Sequence, residues 1–289
     1  MAKELLGKEV TAALKQQLLQ RVAALSEKDI TPKLAVVRCG EQAADISYEN
    51  GAVKCADSVG VAVEKIVLPR DVTQQDLIAQ LQALNEDKNI HGVLMLRPLP
   101  EHLRQAEQKI CNTLCPEKDV DGMTDLSSAG VFLHRELGFP PCTAQACMEV
   151  LSAYGIDCTG KHAVVIGRSA VVGKPAAMML LQRNATVTVC HTKTKNLPEL
   201  TRQADIIVTS AGVLNSLTAE MVRAGQVVLD VSINWDADKK EGKGGIAGDA
   251  DYAAVAPIVD AITPVPGGIG AVTTVVLMEH VVRSAERMA

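Results

Sequence analysis

Strand-like apolar runs alternate with helix-like runs twice along this chain, and this alternation constrains the fold more than any other feature. The first series contains LAVVRCG, VAVEKIVLP and GVLMLRPLP, with helical patterns at residues 44–59 and 73–85 between them. The second series contains HAVVIG, TVTVCH, IIVTS and VVLDVS, again separated by helical patterns. Strands that alternate with helices imply right-handed crossovers and parallel sheets covered on both faces. The sequence therefore predicts an α/β fold.

A long segment between the two series, CPEKDVDGMTDLSSAGVFLHRELGFPPCT, is rich in turn-forming and charged residues. This composition is typical of a connection between domains, and a chain of 289 residues is long enough for two of them. A second polar, glycine-rich stretch, NWDADKKEGKGGIAGD, predicts an exposed hairpin or loop after the second series.

Charge and composition exclude several classes of protein. The net charge is −5 and no long basic run is present, which argues against nucleic acid or an anionic membrane as a partner. The N-terminal MAKELLGKEV lacks the apolar core of a signal peptide, and no run approaches 18 apolar residues, so we expect a cytoplasmic protein. Cys111 and Cys115 have the spacing of a metal-binding pair on a helix, but no second pair lies nearby. We expect buried thiols and no metal.

The stretch AVVIGRSAVVGKP has the strand, glycine turn and helix start of a dinucleotide-binding unit. Its glycines, Gly167 and Gly173, do not match the GxGxxG spacing, so the pattern alone fits an ordinary strand–turn–helix equally well. Gly167 can form the tight turn. Ser169 and the free amides of the helix start can meet a pyrophosphate.

The residues after the next strand distinguish between the two nicotinamide cofactors. An NAD site usually has an acidic residue there, about 20 residues after the glycine turn, bonded to the ribose. Residues 183–198 contain no acid. They contain His191, Thr192, Lys193 and Lys195, and Arg168 lies in the turn itself. These cations and hydroxyls suit the 2′-phosphate of NADP, although lysines are also common in solvated loops.

Several motifs occur in order along nearly the whole chain: LAVVRCG followed by Tyr48, RPLP, PEKDVDG, PPCT, VVIGRSAVVGKP, HTKT, VSIN and ITPVPGGIG. In this the chain resembles the bifunctional methylenetetrahydrofolate dehydrogenase/methenyltetrahydrofolate cyclohydrolase family. The resemblance implies a three-layer α/β folate-side domain at residues 1–142, joined by a C-terminal helix at 270–289. It also implies a Rossmann-type NADP-binding domain with a parallel sheet at 143–269, and a homodimer.

The resemblance also implies an activity and a set of site residues. The family oxidises 5,10-methylenetetrahydrofolate with NADP and hydrolyses the methenyl product to 10-formyltetrahydrofolate. Tyr48 matches the tyrosine that packs on the folate, and Asp121 matches the aspartate that bonds the pterin. From the residues alone, Tyr48 also fits core packing and Asp121 an Asx turn. The remaining matches are the substrate loop Pro266, Gly267, Gly268, Ile269 and Gly270, and the NADP contacts Gly167, Arg168, Ser169, Thr192 and Ile233.

Two catalytic positions of the family are changed in this chain. The family lysine, four residues after the tyrosine, is Ala52, and the supporting glutamine is Leu96 in the folate-side stretch Met95–Pro98. Lys54 cannot replace the lysine, because positions i and i+6 lie nearly opposite on a helix. Hydride transfer needs no proton taken by the protein, whereas attack by water does. We therefore predict that the dehydrogenase persists and that the cyclohydrolase is severely reduced.

Arg97 brings a permanent charge to the same pocket, and its role is open at this stage. It can pair with Asp45 or Glu49, bind an anionic group of a different substrate, or point to solvent. The family proline after the glycine loop is Ala271. An alternative function is therefore a catalytically silent or retargeted NADP-binding relative that acts as an assembly partner or on another substrate.

Overall fold

The computed structural model describes residues 2–237 and 244–289, and its chain divides into two compact units. One unit comprises Ala13–Cys142 and Thr274–Ala289, and the other comprises Met1–Ala12 and Thr143–Thr273. Each unit is built on a parallel sheet, so the predicted two-domain α/β fold is confirmed. Within the described residues, none of the helices combines the length and apolarity needed to span a bilayer.

The first unit contains a three-stranded parallel sheet in the order β3-β2-β4. The strands are β2 (Lys33–Cys39), β3 (Ala62–Leu68) and β4 (Gly92–Met95), as the three apolar runs predict. Helix α2 (Ala43–Asp57) connects β2 to β3, and α3 (Gln74–Glu86) connects β3 to β4. Two shorter helices follow, α4 (Glu107–Cys111) and α5 (Asp125–Leu133).

Two long helices run along the edge of this unit. They are α1 (Gly7–Ser26), of which residues 13–26 belong here, and the C-terminal helix α10 (Ile269–Met288), of which residues 274–288 belong here. Arg21 on α1 donates to Glu279 and Glu286 on α10, with N–O distances of 2.7–3.0 Å. This network fixes the C-terminal helix to the unit that contains the three-stranded sheet.

The second unit contains a six-stranded parallel sheet in the order β1-β11-β8-β7-β5-β6. The four predicted apolar runs form four adjacent strands, with β6 at one edge of the sheet: β5 (His162–Ile166), β6 (Thr186–Cys190), β7 (Ile206–Thr209) and β8 (Val227–Asp230). The opposite side is completed by β11 (Ala261–Ile262) and by the edge strand β1 (Lys3–Glu4), which has no apolar pattern to predict it. The helices are α6 (Cys142–Ala153), α7 (Gly173–Gln182), α8 (Leu197–Gln203) and α9 (Tyr252–Val255).

The polar stretch after β8 forms the predicted hairpin where it can be described. Strand β9 (Asn234–Asp236) pairs antiparallel with β10 (Gly245–Ala247). The tip of the stretch, residues 238–243, lies outside the described residues.

Candidate active site

A cavity of about 290 Å³ lies in the first unit, beyond the carboxyl end of β4. Ligands of parallel α/β sheets bind at this end, because the strand-to-helix loops open there. The structure brings five of the predicted folate-site residues to this cavity: Tyr48, Met95, Leu96, Arg97 and Asp121. The other lining residues are Ala44, Asp45 and Leu94.

Tyr48 lies on α2 and is 40% exposed towards the cavity. The residue after it, Glu49, is buried, and its carboxylate accepts from Arg38 Nε at 3.0 Å and from Lys65 Nζ at 2.9 Å. Arg38 is on β2 and Lys65 on β3, so this ion cluster ties α2 to both strands. Burial raises the pKa of Tyr48, and the Asp121 carboxylate raises it further, so the phenol keeps its proton at neutral pH.

The loop that carries Asp121 begins at Lys118, whose side chain is buried. Lys118 Nζ donates to the backbone carbonyls of Leu84, Asn85 and Asp87, at 2.8, 2.8 and 2.6 Å. These carbonyls lie at the end of α3, where a helix leaves its acceptors unsatisfied. Burial lowers the pKa of Lys118. The lysine therefore fixes the start of the loop to α3.

Asp119 fixes the other side of the loop. Its carboxylate accepts from the amides of Met123 and Thr124, at 2.9 and 2.8 Å, and from the hydroxyl of Ser127 at 2.6 Å. Asp119 is fully buried, and all three donors lie at the start of α5. Asp119 is therefore a structural residue that the sequence analysis did not identify.

His280 of α10 holds the middle of the loop. Burial lowers its pKa to about 4, so the ring is neutral at pH 7 and Nδ1 donates to the Val120 carbonyl at 2.8 Å. Cys142 Sγ also lies 3.2 Å from that carbonyl. The next residue but one, Gly122, has φ = 68° and contacts Pro141 so closely that a Cβ there would lie 2.5 Å from its nitrogen. Because its neighbours are held in this way, Asp121 is presented to the cavity.

Asp121 is a partly buried carboxylate with few partners of its own. Burial raises its pKa to about 6, whereas the positive charge of Arg97 and a hydrogen bond from Cys142 act in the opposite direction. Arg97 Nη2 lies 3.7 Å from Asp121 Oδ2, and Arg97 Nη1 lies 3.9 Å from Glu107 Oε1. The predicted pairing of Arg97 with Asp45 or Glu49 is therefore wrong. The arginine turns towards the loop and α4 rather than towards α2.

Neither Ala52 nor Leu96 carries a group that can act as a base. Ala52 is fully buried one turn after Tyr48 and does not line the cavity, although the sequence analysis placed it among the substrate-binding residues. Leu96 lines the cavity with an apolar side chain. Lys54 is exposed and is not a lining residue, as its position on the helix predicts.

The predicted substrate loop lies in the second unit, at the start of α10. Gly267 has φ = 106°, and its carbonyl accepts from the Gly7 amide at 2.8 Å. Pro266 and Gly270 are exposed, whereas Gly268 and Ile269 are buried. A Cβ on Gly270 would lie 3.7 Å from the side chain of Ile233, one of the predicted cofactor contacts. The structure thus places this glycine and Ile233 side by side.

The predicted dinucleotide turn lies between β5 and α7. Gly167 has φ = 126°, and a Cβ there would lie 2.5 Å from the Ser210 carbonyl oxygen, so only glycine fits. Ser169 Oγ accepts from the amides of Val172 and Gly173, at 3.1 and 3.3 Å. The serine therefore caps the turn, and its own hydroxyl proton remains available to donate to an anion.

The residues at the end of β6 fit an NADP phosphate. His191 and Thr194 close a turn, with the His191 amide 2.8 Å from Thr194 Oγ1, and Thr192, Lys193 and Lys195 are exposed around it. Arg168 is also exposed, in the turn after β5. A donor set of hydroxyls and cations without a carboxylate suits a phosphate dianion better than a ribose diol.

Asp249 is a further residue that the sequence analysis missed. It is fully buried, and its carboxylate accepts from six donors at 2.6–3.3 Å, which lie at the end of β7, in the loops after β7 and β8, and on β9. Its position in GDAD, after a glycine-rich stretch, was the only available signal, and the sequence analysis treated that stretch as a loop. The donors are Thr209, Ala211, Gly212, Val213, Ser232 and Asn234.

Comparisons with known proteins agree over both units. The family model for the tetrahydrofolate dehydrogenase/cyclohydrolase catalytic domain matches residues 5–121, and that for its NAD(P)-binding domain matches residues 141–289. The bifunctional protein FolD of Carboxydothermus hydrogenoformans is 48% identical over 286 residues, which cover 99% of this chain and 98% of that protein.

Solved structures of similar proteins share the fold over the full length. The bifunctional methylenetetrahydrofolate dehydrogenase/cyclohydrolase FolD from Campylobacter jejuni has a TM-score of 0.94 and 39% identity, covering 100% of both chains. The Trypanosoma brucei enzyme, solved with NADP cofactor and an inhibitor, has a TM-score of 0.91 and 31% identity, covering 99% of this chain and 98% of that one.

Proposed function

The chain belongs to the tetrahydrofolate dehydrogenase/cyclohydrolase family, and from this premise we propose that it performs the first reaction of the family and has largely lost the second. It is an NADP-dependent oxidoreductase that converts 5,10-methylenetetrahydrofolate to 5,10-methenyltetrahydrofolate. The comparisons do not favour a catalytically silent or retargeted relative. What the proposal adds is the division of roles among this chain's residues and the fate of the cyclohydrolase step.

Tyr48 and Asp121 would hold the pterin at the cavity. The exposed phenol ring of Tyr48 offers a face for a flat heterocycle. The Asp121 carboxylate has lone pairs to accept two N–H groups from an amino-pyrimidine edge. The glycines of the loop at 266–270 would allow its backbone to approach a ligand closely.

The Gly167 turn would hold the cofactor in the second unit. Ser169 would donate to its pyrophosphate, and Arg168, Thr192 and the neighbouring lysines would meet its 2′-phosphate. When bound, NADP accepts the hydride of the oxidation. The protein's contribution to this step is to hold the reactants close and aligned, and no protein group has to take a proton.

The cavity around Tyr48 carries the second half of the proposal. Hydrolysis of the methenyl cation requires a group that takes a proton from the attacking water, and losing such a base costs about 10²–10⁴-fold in rate. Position 52 offers a buried methyl group and position 96 an apolar chain. Among the described residues that line the cavity, none carries an amine: the only cation is Arg97, whose guanidinium does not act as a base in proteins, and the carboxylates are Asp45 and Asp121, of which Asp121 would be engaged by the pterin. We therefore expect the methenyl product to leave largely unhydrolysed.

A direct assay tests the proposal. Purified protein is incubated with 5,10-methylenetetrahydrofolate and NADP, and methenyl absorbance is followed against an enzyme-free blank that measures spontaneous hydrolysis. We expect methenyl to accumulate and the formyl product to form at close to the blank rate. Formyl production far above the blank would contradict the loss of the cyclohydrolase. Absence of turnover with NADP still bound would contradict the dehydrogenase.

The double substitution Ala52→Lys with Leu96→Gln tests the missing base itself. We expect it to raise the hydrolysis rate by at least about tenfold, since it returns an amine and its support to the Tyr48 face of α2. Ala52 is fully enclosed, so the lysine stem will cost about 1–3 kcal/mol of stability, which circular dichroism can follow. The Leu96→Gln single variant is the matched control. If the folded double variant hydrolyses no faster than this control, the missing-base explanation is wrong.

We also propose that the protein is a homodimer. Trp235 and Ile246 lie opposite each other on the β9–β10 hairpin and are 67% and 43% exposed. Together they form an apolar face on the hairpin that a second copy of the chain could cover. Light scattering on a sizing column should give twice the chain mass, and Trp235→Ser should lower the apparent mass at micromolar concentration. A monomeric wild type would contradict the proposal.

A further inference from the structure

Arg97 occupies a defined position at the cavity rather than a mobile surface position. It lies two residues after the end of β4, lines the cavity with Asp121, and its side chain is only 23% exposed. Glu107 of α4 lies behind it, with Oε1 3.9 Å from Arg97 Nη1. The other oxygen of Glu107 accepts from the Leu99 amide at 3.3 Å. Glu107 thus contacts both the Arg97 guanidinium and the backbone of the turn that carries Arg97.

The contact between Arg97 and Asp121 is an ion pair without a hydrogen bond. The separation of 3.7 Å between Nη2 and Oδ2 exceeds the range of an N–H···O bond. Arg97 therefore stabilises the negative charge of Asp121 without occupying its lone pairs. A carboxylate in this state can still accept two donors from a ligand.

Several other charged and titratable groups surround Asp121, and none of them supplies a positive charge at the cavity. Asp119 in the same loop raises the pKa of Asp121, and Cys142, at the start of α6, acts through a hydrogen bond. Tyr48 on α2 and Asp45 beside it complete the lining, and neither is a cation. The groups that face Asp121 or its arginine are Tyr48, Asp45, Arg97, Glu107, Cys111, Asp119 and Cys142.

We propose, building on the function proposed above, that Arg97 is a positioning residue that supplies the cavity's positive charge from the end of β4, replacing the ammonium missing at position 52 of α2. It keeps Asp121 ionised as the acceptor for the substrate's amino-pyrimidine edge. The replacement preserves the charge and removes the proton chemistry, because a guanidinium is not deprotonated at working pH and so cannot act as a base. This explains how a chain can keep substrate binding and lose the base for hydrolysis.

The proposal predicts the direction of a pH effect. Burial raises the pKa of Asp121 to about 6, and the Arg97 charge opposes that rise. Without the arginine, the carboxylate would take up a proton at a higher pH. A protonated Asp121 has one acceptor fewer and no charge, so it binds the pterin edge less well. The acid limb of substrate binding should therefore move to higher pH when Arg97 is removed.

The experiment compares Arg97→Leu and Arg97→Lys with the wild type from pH 5.5 to 8. Dehydrogenase kcat/KM and the calorimetric affinity for tetrahydrofolate are measured at each pH. We expect Arg97→Leu to move the acid limb upwards by about one pH unit, which is about a tenfold loss of affinity within the limb. KM should rise more than kcat falls. Arg97→Lys should remain close to the wild type, since it retains a positive charge.

Arg104→Leu is the matched control. Arg104 is an exposed arginine in the 3₁₀ turn Glu101–Ala106, seven residues after Arg97 and outside the cavity lining. The pH profile of Arg104→Leu should superimpose on that of the wild type. A second variant, Arg97→Leu with Ala52→Lys, returns the charge to α2. It should move the acid limb back towards the wild-type position.

The possible outcomes separate the two proposals. If the wild type neither turns over substrate nor binds tetrahydrofolate, the proposed function and the role of Arg97 are both overturned. If the wild type is active but folded Arg97→Leu keeps its acid limb in place, only the role of Arg97 is overturned. The same holds if Arg97→Lys loses affinity as fully as Arg97→Leu, because a purely structural requirement for arginine would give that result.

Discussion

The loop that carries Asp121 and the loop cluster around Asp249 both place a carboxylate beyond the carboxyl ends of parallel strands, and that of Asp249 is fully buried whereas that of Asp121 is partly buried. Asp249 accepts from six donors on separate segments of the second unit. Asp121 has a hydrogen bond from Cys142 and an ion pair at 3.7 Å. The Asp249 carboxylate uses all of its acceptor sites to hold loops together. The Asp121 carboxylate still has free lone pairs, and they face a cavity. The number of donors already supplied by the protein thus separates a structural acid from a ligand-binding one.

The same contrast holds within a single loop. Asp119 and Asp121 are two residues apart, and the Asp119 carboxylate accepts three hydrogen bonds from donors at the start of α5. Lys118 and the Val120 carbonyl are likewise fully engaged with α3 and α10. These contacts leave Asp121 as the side chain of the loop that is directed to the cavity. A binding residue can be rigidly placed without being hydrogen-bonded itself, provided that its neighbours are.

The comparison is tested most strongly by truncating each carboxylate in turn. Asp249→Ala leaves buried donors without an acceptor and should lower the free energy of unfolding by about 4 kcal/mol. Asp121→Ala should change it by less than about 1 kcal/mol, while dehydrogenase kcat/KM falls about 10²-fold through loss of two charged hydrogen bonds to the substrate. Urea unfolding is followed by circular dichroism and by Trp235, the single tryptophan, which adjoins the Asp249 donor Asn234.

Asp249→Asn controls for volume, since it keeps one acceptor oxygen and should lose less stability than Asp249→Ala. If Asp121→Ala unfolds as easily as Asp249→Ala, the division into structural and ligand-binding carboxylates does not hold.

A smaller effect, which depends on pH, concerns the support of the Asp121 loop by His280. The native pKa of His280 is about 4, below the ordinary value of 6.5, so the unfolded chain binds the proton first as the pH falls. The neutral His280 therefore imposes no cost on the folded state above pH 6.5, and the free energy of unfolding decreases as the pH falls from 6.5 towards 4. Between pH 7.5 and 5 the loss is about 2 kcal/mol. Asp121 and Asp230, with raised pKa values, act in the opposite direction in every variant.

His280→Asn keeps a donor for the Val120 carbonyl and removes the titration. Between pH 7.5 and 5, we expect the free energy of unfolding of this variant, measured with urea, to fall by about 2 kcal/mol less than that of the wild type. His134→Asn is the control, because His134 is exposed and its left-handed backbone, φ = 53°, accepts asparagine. Parallel pH profiles for the wild type and His280→Asn would exclude a neutral buried imidazole.

The central strands and the turn at Gly167 were predictable from the sequence because their signals are local, whereas the edge strand β1 has no such signal. Apolar runs of four to seven residues specify β2 and β5, and a glycine directly after β5 specifies the turn. The position of Lys54 away from the cavity also followed from helical spacing alone. These inferences required only neighbours in the chain.

The contacts of the charged residues were not predictable in this way. Glu49 was considered only as a possible partner of Arg97, but it is buried between cations of β2 and β3. The partner of Arg97 was predicted wrongly because the turn after β4 directs it to Glu107 and Asp121 rather than to Asp45. These pairings depend on which segments fold together, and a single sequence carries no local signal for them.

The smallest predicted effect compares the two helix caps that adjoin the two loops. Thr124 Oγ1 accepts from the Ser127 amide at 3.1 Å and caps α5, a helix of nine residues. Asp251 caps α9, a helix of four residues, with a longer bond of 3.3 Å from the Ala254 amide. Thr124→Ala should cost about 1 kcal/mol and Asp251→Ala about half as much, because the second bond is longer and more exposed. Thr124→Ser keeps the cap and should unfold within about 0.5 kcal/mol of the wild type. An equal or larger loss for Asp251→Ala would mean that the Asp249 cluster depends on its neighbours as strongly as the Asp121 loop does.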